Sequence, residues 1–123
     1  MITFKKIKFK YNLLFMVMKR QDFLNLLGKD IVLVFFTSTD CAPCKNIKPY
    51  VQDKLASCPY VCLQLDRNVD ADVYSALQTK KQVKGVPSLL AYAKGNTTLM
   101  ANLSISGTNQ NEIDCFFESL EYL

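Results

Sequence analysis

Apolar residues along this chain fall into short blocks separated by polar turns. Ile31 to Phe36 is six apolar residues without a polar break, a run of β-branched and aromatic side chains that suits a central strand covered on both faces. Val61, Leu63 and Leu65 alternate with Cys62 and Gln64, which predicts a second strand over Tyr60 to Leu65. Val86 to Ala93 predicts a third, Lys94-Gly95-Asn96 a turn, and Thr97 to Ser104 its antiparallel partner. Helical spacing fills the gaps. Gln21 to Leu27 places Phe23, Leu24, Leu26 and Leu27 on one face and is closed by Gly28. A longer helix opens at Pro43 and runs to about Ala56, with Ile47, Tyr50, Val51 and Leu55 on one side and a kink expected at Pro49. Asp70 to Gln82 predicts a third helix, and Thr108 or Asn109 caps a last one bearing Ile113, Phe116, Phe117 and Leu120. Residues 13 to 18 read as a strand, and Thr3 to Lys10 as a tail or edge strand. The order β-α-β-α-β-α-β-β-α describes two parallel crossovers, a hairpin and a closing helix. That is an α/β three-layer fold with a mixed central sheet flanked by helices.

The chain's 123 residues, half of them hydrophobic, match one domain with enough apolar material for a core. The formal charge of +4 is unevenly placed. Residues 1 to 20 hold six basic groups and no acid, and the remainder carries 9 basic and 11 acidic groups, a net −2. Residues 1–12 therefore read as a basic extension or extra strand and 13–123 as the domain. The globular part is not a nucleic-acid surface on charge grounds. The apolar run Leu13 to Met18 is short for a signal peptide and no small-x-small site follows it. No stretch approaches the roughly 18 apolar residues of a membrane span. A cytoplasmic location is the expectation.

There is no histidine. Ser/His and Cys/His hydrolases and His-containing metal sites are excluded, and chemistry falls to cysteine or carboxylate. The five cysteines, at 41, 44, 58, 62 and 115, are an odd number and cannot all pair within one chain. Cys41-Ala42-Pro43-Cys44 stands where a buried strand meets a helix N-terminus, after the cap-forming residues Thr37, Ser38, Thr39 and Asp40. Free N–H groups and the helix macrodipole there favour a thiolate at Cys41, and Cys44, one turn on, can resolve a mixed disulfide. The pair reads as a redox couple. Two other readings compete. Half a zinc site has the same spacing and would need Cys58 and Cys62 as its other half, and the core-cysteine reading is the favoured one for Cys58, Cys62 and Cys115.

With the apolar strand Ile31 to Phe36, the CAPC pair, Lys45, Pro49 five residues past the second cysteine, the segment Lys84-Gly85-Val86-Pro87-Ser88, Gly95 and Gly107, residues 13 to 123 resemble the thioredoxin family. The resemblance implies a thioredoxin-like fold and a thiol-disulfide oxidoreductase, a reductase rather than a disulfide former, that needs no cofactor and no metal. It implies Cys41 as nucleophile, Cys44 as resolving thiol, and Ala42, Pro43, Val86, Pro87 (as a cis proline) and Gly107 as the surface that receives substrate. The partners it implies are protein disulfides, with a thiol reductase or glutathione as electron donor.

The departures from the family pattern are specific. Asp40 replaces the usual tryptophan before the first cysteine, Ala42 a glycine, Phe35 a buried aspartate and Cys62 a nearby buried lysine. A carboxylate at Asp40 opposes the Cys41 thiolate unless Lys45 or another cation offsets it, so Asp40 and Lys45 are expected to tune it. Loss of the buried charged pair leaves a second function open: a thioredoxin-fold binding or assembly module whose cysteine pair is vestigial.

Overall fold

A computed structural model describes residues 17–123. Helix α1 (Arg20–Leu26) leads to strand β1 (Val32–Thr37), helix α2 (Ala42–Ala56), strand β2 (Val61–Asp66) and helix α3 (Ala71–Thr79). Strands β3 (Ser88–Tyr92) and β4 (Leu103–Ser106), helix α4 (Gln110–Ser119) and a 3-10 turn at Leu120–Tyr122 complete the chain. The sheet order is β2-β1-β3-β4, with β1 and β2 parallel and the β1/β3 and β3/β4 pairs antiparallel.

Every residue of β1 is buried, and the strand's period of two sorts its side chains between two cores. Val32, Val34 and Phe36 face Phe23, Leu63, Val73, Leu77 and Tyr92 beneath α1 and α3. Leu33 and Phe35 face Ile47, Val51, Leu55, Ile113 and Phe116 beneath α2 and α4. The sheet is thus a middle layer between two pairs of helices, the mixed three-layer α/β fold.

Three boundaries differ from the sequence pattern. The helix expected to reach Gln82 stops at Thr79 because Lys81 adopts φ 59°. Its N–H donates to the Gln78 carbonyl at 2.9 Å and the Gln82 N–H to the Leu77 carbonyl at 2.8 Å, the two bonds of a left-handed C-terminal cap. The strand expected from Thr97 begins only at Leu103. Asn96 captures its neighbours instead: its Oδ1 accepts from the Thr98 N–H at 2.9 Å, its Nδ2 donates to the Met100 carbonyl at 2.8 Å, and Gln82 Oε1 takes the Ala101 N–H at 2.9 Å. Such side-chain bonds divert backbone groups from a ladder. Strand β3 starts at Ser88 rather than Val86, immediately after Pro87, which has no N–H for a ladder. The strand expected at 13–18 lies largely outside the described residues, and Val17 and Met18 belong to no strand. The 1–12 extension lies outside them altogether.

Candidate active site

The carboxyl ends of β1 and β2 and the loop before β3 converge on the first turn of α2. Cys41 is the N-cap of α2, with Ala42 and Pro43 exposed beyond it in the first turn. The helix begins here because the Cys41 sulfur accepts the Cys44 N–H at 3.2 Å and Pro43 has no donor to leave unpaired. Cys41 and Cys44 form a disulfide with a Cα–Cα distance of 5.3 Å. The two sulfurs differ in access: Cys41 is half-buried, and Cys44 is 1% exposed, packed under the helix.

The Val86–Pro87 peptide bond is cis, and it turns the Val86 carbonyl oxygen toward Cys41, 3.7 Å from its sulfur. A reduced Cys41 has a thiol within reach of that oxygen. Pro87 is buried. Its loop is clamped from behind: the Gly107 N–H donates to the Pro87 carbonyl at 2.9 Å, and Ser88 Oγ bonds the Gly85 carbonyl at 2.6 Å and Ser106 Oγ at 2.8 Å. Gly107 therefore spends its amide on the proline loop, and the Ser88–Ser106 clamp was not foreseen from sequence. The register Ser88↔Ser106 on adjacent strands is what brings the two hydroxyls together.

Asp40 is exposed and does face a cation, but the cation is Arg67, not Lys45. Arg67 Nη2 lies 3.3 Å from Asp40 Oδ1. Ser38 Oγ also donates to Asp40, and Asn68 Nδ2 donates to Ser38 Oγ at 3.3 Å. The Ser38 hydrogen bond, with the Arg67 charge beside it, holds the Asp40 carboxyl below the usual carboxylate range. Arg67 was not singled out from the sequence. The available signal was topological: Thr37 and Asp66 are register partners at the ends of parallel strands, so the residues after each must meet. Lys45 instead lines an open cleft of about 560 Å3 beside Cys44, together with Lys48, Asp66 and Asp70.

Phe35 (1% exposed) and Cys62 (0%) sit in the apolar layer beneath α2, where the resemblance places a carboxylate and an ammonium. The void beside Phe35, also bordered by Ile47, Val51 and Pro87, is about 10 Å3, at the lower limit for one water. Cys58 and Cys62 lie at the far end of α2 from Cys41, so the four cysteines do not converge on a metal. Cys115, expected in the core, is exposed on α4.

A dithiol at a helix N-terminus, one sulfur accessible and the other buried one turn on, facing a cis-proline loop, is built for thiol-disulfide exchange. The thioredoxin family model matches residues 15–118. This chain belongs to the thioredoxin family. It is 27% identical over 103 residues to sheep (Ovis aries) thioredoxin, covering 81% of this chain and 89% of that protein. It is 28% identical over 87 residues to thioredoxin 3 of Plasmodium falciparum, covering 71% of this chain and 46% of the relative, so it spans less than half of that protein's length. Among solved structures, Trichomonas vaginalis thioredoxin superposes with a TM-score of 0.67 at 18% identity, covering 85% of this chain and 93% of that one. A Plasmodium falciparum thioredoxin gives 0.62 at 22%, covering 84% of each. At these identities the structures speak to the fold. No helix among the described residues is long and apolar enough to cross a membrane.

Proposed function

We propose that the protein is a thiol-disulfide oxidoreductase of the thioredoxin type that works as a protein-disulfide reductase through Cys41 and Cys44. The observation that carries this is the asymmetry of the pair: a half-buried Cys41 sulfur 3.7 Å from the Val86 carbonyl, and a Cys44 sulfur buried behind it. In the reduced protein the Cys41 thiolate, stabilised by the Cys44 N–H and the start of α2, attacks a substrate disulfide. An extended substrate strand lies against Ala42, Pro43 and the Val86-Pro87 loop, with Gly107 supporting that loop from behind. Cys44 then attacks Cys41 of the mixed disulfide, and the substrate leaves as dithiol. With apolar Phe35 where the resemblance places a carboxylate, Cys44 loses its proton to water in the open cleft it shares with Lys45, Lys48, Asp66 and Asp70. Asp40 and Arg67 set the field at Cys41, and a thiol reductase or glutathione returns the electrons. Three cysteines left outside the pair fit a reducing, cytoplasmic setting. The domain responsible is 13–123, with 1–12 as an appended basic extension.

Equilibration of the 41/44 pair in a graded glutathione buffer tests the direction. A potential near or below about −230 mV agrees with a reductase, and one near −120 mV identifies a disulfide former. Cys44→Ser tests the mechanism: covalent, reductant-sensitive adducts on Cys41 accumulate because no intramolecular thiol resolves them. A variant that binds proteins only noncovalently, from a wild type that reduces no disulfide, marks a binding module instead.

A further inference from the structure

At the opposite end of α2, about 22 Å from Cys41 at 1.5 Å per residue, lie two cysteines that the exchange mechanism does not use. Cys58 follows the helix and Cys62 is the second residue of β2, so the turn between them brings the side chains back together. Cys62 is fully buried against the layer of Leu33, Val51 and Leu55. Cys58 is half-buried and opens onto a surface cleft of about 430 Å3 bordered by Lys54, Pro59, Tyr60 and Phe117. Each thiol rests on a nearby carbonyl, Cys58 on that of Lys54 at 3.4 Å and Cys62 on that of Tyr60 at 3.5 Å. Cys58 packs against the same apolar layer that holds Cys62, four residues on across the turn. The neighbouring Cys62 side chain, with the Lys54 ammonium nearby, holds the Cys58 thiol below its ordinary range, while Cys58 and burial push Cys62 up.

We infer that Cys58 and Cys62 form a second dithiol that closes reversibly to an intramolecular disulfide, a redox modification site separate from the CAPC pair. Access and contact assign the roles. Only Cys58 is reachable from solvent, so its thiolate attacks a sulfur of an incoming disulfide R–S–S–R, forming Cys58–S–S–R and releasing one thiolate. Cys62 cannot meet the incoming disulfide but stands across the short turn from Cys58 in the same apolar layer. It attacks there, expels the second thiolate and passes its proton to it. The protein gives up two electrons and two protons, and the disulfide leaves as two thiols. Closure ties the end of α2 to β2. Cys115, alone on the exposed face of α4, has no such partner among the described residues and stops at a mixed disulfide.

The inference does not depend on what Cys41 and Cys44 do, and it is tested on the intact chain. Reduced protein is equilibrated with mixtures of glutathione and glutathione disulfide, quenched in acid, unfolded, alkylated and digested with trypsin. Cleavage after Lys54 and Arg67 leaves both cysteines in one peptide, 55–67. The expected product is that peptide two hydrogens lighter, unalkylated, and returned to two alkylatable thiols by dithiothreitol. In Cys62→Ala, glutathione should remain attached to Cys58 because nothing resolves it. The inference is overturned if 55–67 stays fully alkylatable in buffers that glutathionylate Cys115, or if wild-type Cys58 retains glutathione as stably as Cys62→Ala does.

Discussion

Cysteine reactivity at neutral pH follows the thiolate fraction more than exposure, and this chain offers an internal comparison. Cys115 is the more exposed, in the middle of α4, whereas Cys41 is half-buried at a helix start with the Cys44 N–H on its sulfur. In the reduced protein at pH 7, iodoacetamide should therefore label Cys41 before Cys115, read by peptide mapping at short times. Two charges set how much faster. Asp40, a carboxylate next to Cys41 in the chain and held below its ordinary range by Ser38, and Arg67, 3.3 Å from Asp40, should act on the thiolate in opposite senses. Asp40→Asn should raise the Cys41 labelling rate and Arg67→Ala should lower it. Each change should be roughly two- to threefold at low salt, the scale of one partly screened charge. Equal rates in both variants would place the pair's field away from the sulfur.

At the scale of elements, the stops and joints are held by single residues in special conformations. The cap of α3 puts Lys81 at φ 59°, a conformation that costs a side-chain-bearing residue about 1 kcal/mol and costs glycine little. Lys81→Gly should stabilise the protein by about 0.5–1 kcal/mol, read as a higher urea midpoint with an unchanged slope. Destabilisation would mean that the lysine stem contributes packing larger than the backbone term. Gly28 marks the opposite case. At φ +99° a Cβ there would stand 2.8 Å from Thr97 Cγ2, where the Gly95 N–H meets the Gly28 carbonyl. The loop after α1 and the β3–β4 connection can approach so closely only without a side chain.

Across the whole molecule, carboxylates tie elements that are distant in sequence. Asp72 on α3 accepts from the Arg20 backbone at 2.8 Å and pairs with its guanidinium, joining α1 to α3. Asp114 on α4 accepts from Tyr50 Oη at 2.5 Å and Lys54 Nζ at 2.9 Å, joining α4 to α2. The Arg20 contacts hold Asp72 below its ordinary pKa, and the Tyr50 and Lys54 contacts do the same for Asp114. A lowered folded-state pKa contributes stability that is present above the ordinary value near 3.8 and is lost as pH falls through the lowered one. Urea midpoints should therefore drop from about pH 4 downward. Asp114→Asn should be less stable than wild type at pH 6 and should lose less on acidification. Parallel pH profiles for the two proteins would show that Asp114 keeps the same pKa after unfolding.

Much of this was written in short stretches of chain. The unbroken run at 31–36 demands burial on both faces, so the central strand and the layers around it were legible from periodicity. Cys41-Ala42-Pro43-Cys44 after a row of cap-forming residues located the site, because helix starts are local events. Asn109 capped α4 for the same reason, its side chain accepting the Glu112 N–H. The rest required the third dimension. Arg67 reaches Asp40 only because β1 and β2 run parallel in register, a pairing that no single segment encodes. Strand β4 began six residues later than alternation suggested because Asn96 and Gln82, one of them beyond the hairpin, claimed the backbone groups first. Residue type alone assigns Cys115 to the core, yet helix phase turns it to solvent while Ile113 and Phe116 take the buried face. Local propensity and hydrophobic period are properties of a few consecutive residues and can be read from them. Ion pairs, thiol contacts and competition for hydrogen bonds between distant segments depend on packing, and only the tertiary structure decides them.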